Sequence, residues 1–261
     1  IGTLDHMGGA ERQALYLVEH LVSIGAHVEV LAFEDGKVLR TALDELGVTA
    51  HVSRYYFRWP ASKRARALAS LARLLRSRIK PNALLPFVGI HSKTMAQVWR
   101  YTGAKYCWWN QQDEGRDLTG TAREKTILER VSCITSNSVA GRDFIVAAYG
   151  ISPDRVRVYN NGTPIPDDFG EGDIRERFAL GTRRIVSMIA NVNEFKDHET
   201  LIASWPQVRD HFGYAERPIL ALAGHLKDRV TVKRLKLQAF ELGLSTDDIR
   251  FLGPVDDVGK L

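Results

Sequence analysis

Gly8-Gly9-Ala10-Glu11-Arg12 opens a helical segment over residues 10–24, which carries Ala14, Leu17, Val18 and Leu21 on one face and is stopped by Gly25. His27-Val28-Glu29-Val30-Leu31-Ala32 follows it. Apolar residues at three- and four-residue spacing mark the buried side of a helix, and a short Val-rich run between breakers marks a strand. Glu11 falls in the first helical turn, where the helix dipole favours an acid. The same alternation continues downstream. Helices are predicted over 39–46, 63–80, 92–101, 121–130 and 139–149, with strands over 48–54, 83–88, 105–109, 131–136 and 155–159. Strand and helix in turn, with short breaks, predict an open parallel sheet covered on both faces.

Residues 160–172 interrupt that rhythm with prolines, glycines and acids, the composition of a linker between domains. The alternation then restarts with a short helix at 174–178, strands over 184–190, 218–223 and 249–252, and helices over 198–212 and 232–242. Pro206 is expected to bend or interrupt the first of these longer helices. The reading is thus α/β, with one Rossmann-like domain over 1–162 and a second over 163–261. The chain is taken to begin late in its first strand and to end inside a helix start, so upstream residues and the rest of the second domain are expected beyond it.

The chain has 261 residues, of which 26% are charged and 44% hydrophobic, ordinary values for a globular protein with a sizeable core. No apolar run approaches the roughly 20 residues of a membrane helix, and no signal peptide is visible. The two cysteines, Cys107 and Cys133, lie far apart in strand-like runs and read as free buried thiols, which fits a reducing, cytoplasmic compartment. The net charge of +5 is unevenly spread. Lys63, Arg64, Arg66, Arg73, Arg76, Arg78 and Lys80 fall in one acid-free stretch, beside an apolar stripe of Leu68, Leu71, Ala72, Leu75 and Ile79. Such a helix either packs on a sheet with a solvated back or meets an anionic membrane surface or polyanion. Nothing in the pattern supports nucleic-acid binding.

In open α/β sheets ligands bind beyond the carboxyl ends of the strands. The residues at those ends are Asp5, His6 and Gly8-Gly9; Asn110 to Glu114; Asn137 and Ser138; Asn191 to Lys196; and Gly224 to Lys227. Gly8 and Gly9 are an ordinary tight turn or a place where free amide hydrogens meet a phosphate. His6 is a polar loop residue or a base. Lys196 is a solvated first-turn residue or a phosphate ligand; a lysine at a helix start is poorly matched to the dipole, and an arriving phosphate would remove the mismatch. Ser138 and Asn137 read as helix caps. Of Trp108 and Trp109, one is expected buried and one half-exposed. The dinucleotide fingerprint, the Walker lysine, the nucleophile elbow and zinc-ligand spacing are all missing, so no metal site is predicted.

Four stretches together resemble a known family. Gly8 to Arg12 is similar to the N-terminal glycine loop of the retaining glycosyltransferases of family 4 (glycosyl transferases group 1), which have the GT-B fold. Val158 to Thr163 resembles their hinge, and Ile189 to Ile202 resembles the first strand, loop and helix of their second domain. Leu222-Ala223-Gly224, Ala239 to Gly243 and Phe251 to Val255 follow in the expected order. The resemblance implies two Rossmann-like parallel-sheet domains with an inter-domain cleft, the second domain incomplete. It also implies an enzyme that moves a hexosyl unit from a nucleotide-sugar, a UDP- or GDP-sugar, to the hydroxyl of a glycan or lipid-linked acceptor in bacterial polysaccharide biosynthesis.

Gly9 and Lys196 then take the places of the glycine and lysine at the donor diphosphate, with His6 as a candidate base. Gly8, Asn191, Gly224 and His225 complete the donor-binding set. Asn191 stands where relatives have an arginine, and Gly224-His225-Leu226 stands for a Gly-Asp-Gly. Asn110, Gln111 and Gln112 lie near the place of a usual histidine. No tightly bound cofactor and no metal are implied, and the leaving phosphate itself takes the acceptor's proton. The family's glutamate pair would lie beyond Leu261, so the segment by itself is expected to be inactive. The expected location is the cytoplasm, peripherally at the inner face of the plasma membrane through residues 63–80. An epimerase of the same fold, or a non-catalytic sugar-nucleotide or polysaccharide-binding protein, is the alternative.

Overall fold

The computed structural model describes residues 1–5, 7–55, 59–113, 115, 118–165 and 174–255. The chain forms two compact units, residues 1–163 and 164–261. The first contains α1 (Gly9–Ser23), β1 (Glu29–Ala32), α2 (Val38–Glu45), β2 (Thr49–Val52), α3 (Ala61–Leu74), β3 (Ala83–Leu84), α4 (Gly89–Val98), β4 (Tyr106–Gln111), α5 (Ala122–Glu129), β5 (Cys133–Ser136), α6 (Val139–Tyr149) and β6 (Val156–Val158). The second contains α7 (Ile174–Arg177), β7 (Ile185–Ile189), α8 (His198–His211), β8 (Ile219–Ala223), α9 (Arg229–Glu241) and β9 (Ile249–Gly253).

Every strand pairing among the described residues is parallel, as the alternation requires. In the first unit, however, the strands fall into two sheets rather than one, β1-β2 and β3-β4-β5-β6. The expected strand ahead of α1 is reduced to a single parallel bridge between Thr3 and Glu34, with the Leu4 N–H donating to the Glu34 carbonyl at 3.1 Å. An apolar cavity of about 410 Å³, bounded by β1, β3 and the inner face of α1, separates the two sheets. None of the polar strand-end residues lines it, so it is not the candidate site.

Each sheet has its own core. Leu15, Val18, Leu39 and Leu43 pack under β1, and Trp109, Leu128, Ile134 and Ile145 pack around β4 and β5. A fully buried side chain of this size contributes about 1.5–3 kcal/mol. The basic helix begins at Ala61, earlier than predicted, and its last turn, Leu75–Ile79, is π-helical. Its apolar stripe does point inward, with Leu71 and Leu75 buried, while Lys63, Arg66, Arg73, Arg76, Arg78 and Lys80 are exposed. β3 is shorter than the predicted 83–88, because the chain turns through Pro86 and through Val88, whose φ is +60°, to start α4 at Gly89.

In the second unit the order is β7-β8-β9. All five residues of β8 are buried, as in a central parallel strand covered on both faces. α8 runs through Pro206 without a break, so of the bend or interruption expected there the interruption does not occur. Ile202 and Trp205 on its inner face are fully buried, and this packing outweighs the backbone bond that proline removes. α9 begins at Arg229 rather than 232, because the Asp228 carboxylate accepts from the Thr231 N–H at 3.0 Å and from its hydroxyl at 2.7 Å. The helix start expected at the chain's end lies outside the described residues.

Candidate active site

At the glycine turn of the first unit, Gly8 is the N-cap of α1 and Gly9 its first residue. The Glu11 carboxylate accepts from the Gly8 N–H at 3.2 Å, so the acid of the first turn holds the turn closed. The next amides have no acceptor within the helix and point out of its end. A methyl group placed on Gly9 would meet nothing within 4 Å. Glycine here leaves open space beside free amides and is not forced by packing. Gln13, one turn further on, donates to the Gly162 carbonyl at 2.5 Å and accepts from the Gly162 N–H at 3.2 Å. This amide pair fastens the end of the first unit to the helix that bears the glycine turn. His6 lies outside the described residues.

A second polar tier stands at the ends of β4 and β5. Gln111, fully buried, accepts from the Trp109 indole at 3.0 Å and donates to the Asp113 carbonyl at 3.0 Å. Gln112 donates to the Asn110 side chain at 2.5 Å, and Asn137 donates to the Gln112 carbonyl at 3.1 Å. Ser138 caps α6 by accepting from the Gly141 N–H at 3.0 Å; Asn137 does not cap, because Ser138 holds the N-cap position. Trp109 is buried and Trp108 half-buried, as expected. Cys107 is buried and free, its thiol pushed up to about 12 by burial, and Cys133 is free and half-buried.

Sequence reading missed Glu124. Its carboxylate, 1% exposed, accepts from the Lys93 ammonium, the Thr119 and Thr121 N–H groups, both at 3.1 Å, and the Tyr149 hydroxyl at 3.0 Å. Burial alone would raise its pKa, but the bonds from Lys93, Thr121 and Thr119 hold it down at about 2. Burial, and then the Glu124 charge, push the Tyr149 hydroxyl up. This knot anchors the segment that leads away from the polar tier. The spacing Thr121-x-x-Glu124, a capping box, was the available signal.

In the second unit, the residues after β7 and β8 are zipped together. The Ala190 N–H donates to the Ala223 carbonyl at 2.8 Å and the Val192 N–H to the His225 carbonyl at 3.0 Å. The Asn191 side-chain carbonyl accepts from the His225 N–H at 3.0 Å. Gly224 has φ +148°, and a Cβ on it would stand 2.2 Å from the Ala190 carbonyl oxygen, so only glycine fits. The structure therefore brings Asn191, Gly224 and His225 together, with Asn191 serving as a tie between loops. Lys196 is exposed, and its ammonium has no ion pair among the described residues. It precedes the N-cap instead of standing in the first turn, because Asp197 caps α8 by accepting from the Thr200 N–H at 3.2 Å. His225 and Lys227 are exposed. The His198 ring is buried beneath the loop; burial lowers its pKa, and the backbone of Lys196 and of Ala190 acts in the opposite direction.

The helix-start amides at the glycine turn and the Lys196 ammonium, without acceptor or ion pair among the described residues, are each suited to an anion. Among the described residues no group of His, Cys, Asp or Glu is placed to hold a metal ion, and no helix is long and apolar enough to cross a membrane.

The profile of Glycosyltransferase Family 4 matches residues 7–165, well over half of the chain and nearly all of the first unit. The chain belongs to glycosyltransferase family 4. The transferase shares the GT-B fold with solved structures that match almost its whole length. Anabaena HepE in complex with UDP-glucose is 18% identical with a TM-score of 0.76, over 99% of this chain and 70% of that one. A glycosyltransferase from Rickettsia africae is 14% identical with a TM-score of 0.75, over 99% and 69%. WaaG, a glycosyltransferase involved in lipopolysaccharide biosynthesis, is 12% identical with a TM-score of 0.63, over 100% and 70%. A comparison with curated proteins finds no match. The family profile takes in the glycine turn and the polar tier of the transferase, whereas the Lys196 loop lies beyond it.

Proposed function

We propose that the transferase moves a hexosyl unit from a nucleotide-sugar to a hydroxyl of a glycan or lipid-linked acceptor, with retention at the anomeric carbon. The observation that carries this reading is the exposed ammonium of Lys196, without an ion pair among the described residues, on a loop tied to the end of β8. HepE, of the same fold, is described in complex with UDP and glucose and with UDP-glucose, which favours a uridine donor. As the bond from the anomeric carbon to the phosphate oxygen breaks, negative charge grows on the leaving diphosphate. The reading gives the Lys196 ammonium and the amides of the Gly8-Gly9 turn the task of meeting that charge, with no metal required. The leaving phosphate takes the proton of the attacking hydroxyl. Asn191, Gly224 and His225 shape the donor loop, and His6 stands as a candidate base.

The six exposed cations of the basic helix, Lys63, Arg66, Arg73, Arg76, Arg78 and Lys80, have no ion pair among the described residues. They support an acceptor held at an anionic membrane surface, peripherally at the cytoplasmic face, and a role in polysaccharide assembly. Calorimetric titration with UDP and GDP tests the donor site: Lys196→Ala is expected to weaken the preferred nucleotide roughly 10- to 100-fold, the range of a charge-assisted hydrogen bond. Unaltered affinity removes the assignment. An inverted product anomer, read by NMR, removes retention.

A further inference from the structure

The apolar cavity of the first unit lies between two strand edges, those of β1 and β3. β1 pairs with β2 on one side and β3 with β4 on one side. The Ser53 N–H donates to the Ala32 carbonyl at 2.9 Å, so Ala32 and Val30 face β2. Glu29 and Leu31, at alternate positions, turn their backbone groups the other way. In β3 the Asn82 carbonyl accepts from the Tyr106 N–H at 3.3 Å, which turns the N–H of Ala83 away from β4. Glu29, Leu31 and Ala83 all line the cavity, and their N–H groups have no acceptor among the described residues. β8 is buried along its whole length, whereas β1 is buried only at Ala32 and β3 only at Leu84.

Residues 1–4 already run in the lane between these edges. The Ile1 nitrogen donates to the Leu31 carbonyl at 2.9 Å, the Phe33 N–H to the Gly2 carbonyl at 3.1 Å and the Leu4 N–H to the Glu34 carbonyl at 3.1 Å, and Thr3 bridges Glu34 in parallel. On the other side a Cβ on Gly2 would stand 2.8 Å from Nε2 of His91 in α4. Continued backward from Ile1 in that register, about five residues, roughly 17 Å of strand, run alongside 27–31. Leu15 and Val18 from the core of β1, and Ile79 and Met95 from the core of β3, line this stretch of the cavity. A strand there meets apolar side chains from both cores, which suits the near-continuous apolar run of a central parallel strand.

We propose that the cavity is a strand-receiving slot, filled by an extended apolar segment of the same chain that runs parallel into Ile1 and joins β1-β2 and β3-β4-β5-β6 into one sheet. The continuity of the lane selects this occupant: a strand of another molecule would have to abut Ile1 end to end, whereas a covalently continuous strand enters the lane without a break. The segment supplies partners for the N–H groups of Leu31 and Ala83 at once. It also bears on the glycine turn, which follows Leu4 by four residues. With the slot filled, that turn stands at the carboxyl end of a strand held from both sides.

The test adds five residues ahead of Ile1 in the whole chain, either Val-Ile-Val-Ile-Val or Gly-Ser-Gly-Ser-Gly, and reads the thermal midpoint, amide exchange by NMR and molecular mass by light scattering. The apolar extension is expected to raise the midpoint by about 5 °C or more, to slow exchange at Leu31 and Ala83 by about tenfold or more, and to leave the chain monomeric. The Gly-Ser extension is expected to match the 261-residue chain. Exchange at Ala83 that the apolar extension does not slow overturns the proposal. Protection that appears only in a dimer gives the slot to a second copy and overturns it equally. Should the apolar form fail to fold, the 261-residue chain decides. Its Leu31 and Ala83 N–H groups are expected to exchange about tenfold faster than those of Val30 and Leu84, which face β2 and β4. Equal rates mean that the edges are already closed, and the slot reading falls.

Discussion

The glycine turn of the first unit and the zipped loops of the second use the same residue for opposite reasons. Around Gly9 there is open space, and the turn is held by the Glu11 carboxylate on the Gly8 N–H. Around Gly224 the backbone of Ala190 is so close that no side chain fits. The first site offers backbone amides whose positions any small residue would preserve. The second offers a side-chain ammonium on a loop whose shape depends on one obligatory glycine. A glycine at a strand end thus marks either permission or compulsion, and only the distances distinguish them.

That contrast can be broken most directly at Gly224. Gly224→Ala combines an unfavourable backbone conformation with overlap on the Ala190 carbonyl and is expected to destabilise the second unit by about 3–5 kcal/mol, read by urea denaturation. A loss below about 1 kcal/mol would show that the loops are not zipped as described. Glu124 supplies the next largest effect, this time in the first unit. Its folded pKa is held near 2 against an ordinary 4.5, so its contribution, up to about 3 kcal/mol, is complete above pH ~4.5 and is lost as the pH falls toward 2. Glu124→Gln is expected to flatten the stability profile of the first unit across that window. A profile as steep as that of the wild type would place the acid sensitivity elsewhere.

Asn191→Ala removes the acceptor of the His225 N–H and is expected to cost about 1 kcal/mol of stability. Because the side chain acts as a tie, the change should weaken nucleotide binding less than Lys196→Ala does; a greater loss would make Asn191 a ligand in its own right. The smallest effect belongs to Gly9→Ala. Alanine at the first position of α1 meets no atom and is expected to leave stability unchanged or raise it by up to about 1 kcal/mol, measured by thermal denaturation. A marked loss would mean that Gly9 is compelled as Gly224 is, and the comparison would fail.

Much of the architecture was legible because its signals are local. Ala14 and Val18 announced the buried face of α1, and Ser138 announced the start of α6. Where the reading failed, distant packing prevailed over local preference. Of the bend or interruption expected at Pro206, the interruption does not occur, since Ile202 and Trp205 are locked in the core. The first unit's strands divide into two sheets, because pairing depends on which edges meet. The candidate site was legible in its residue types but not in its roles. Asn191 was legible as the residue standing where relatives have an arginine, but not its bond from the His225 N–H, and His198 and Glu124 drew no notice, since neither burial nor partners thirty residues away can be seen in a single residue.

The sequence by itself determined the alternation of strand and helix, most helix boundaries and the family, because periodicity and capping are satisfied within a few residues of chain. The tertiary structure alone decided that Gly224 is obligatory and Gly9 is not, that Lys196 has no ion pair among the described residues, and that Glu124 and His198 are buried. Each of those facts depends on segments such as 190 and 224, or 93 and 124, being brought into contact, and contact distance is a property of the folded chain.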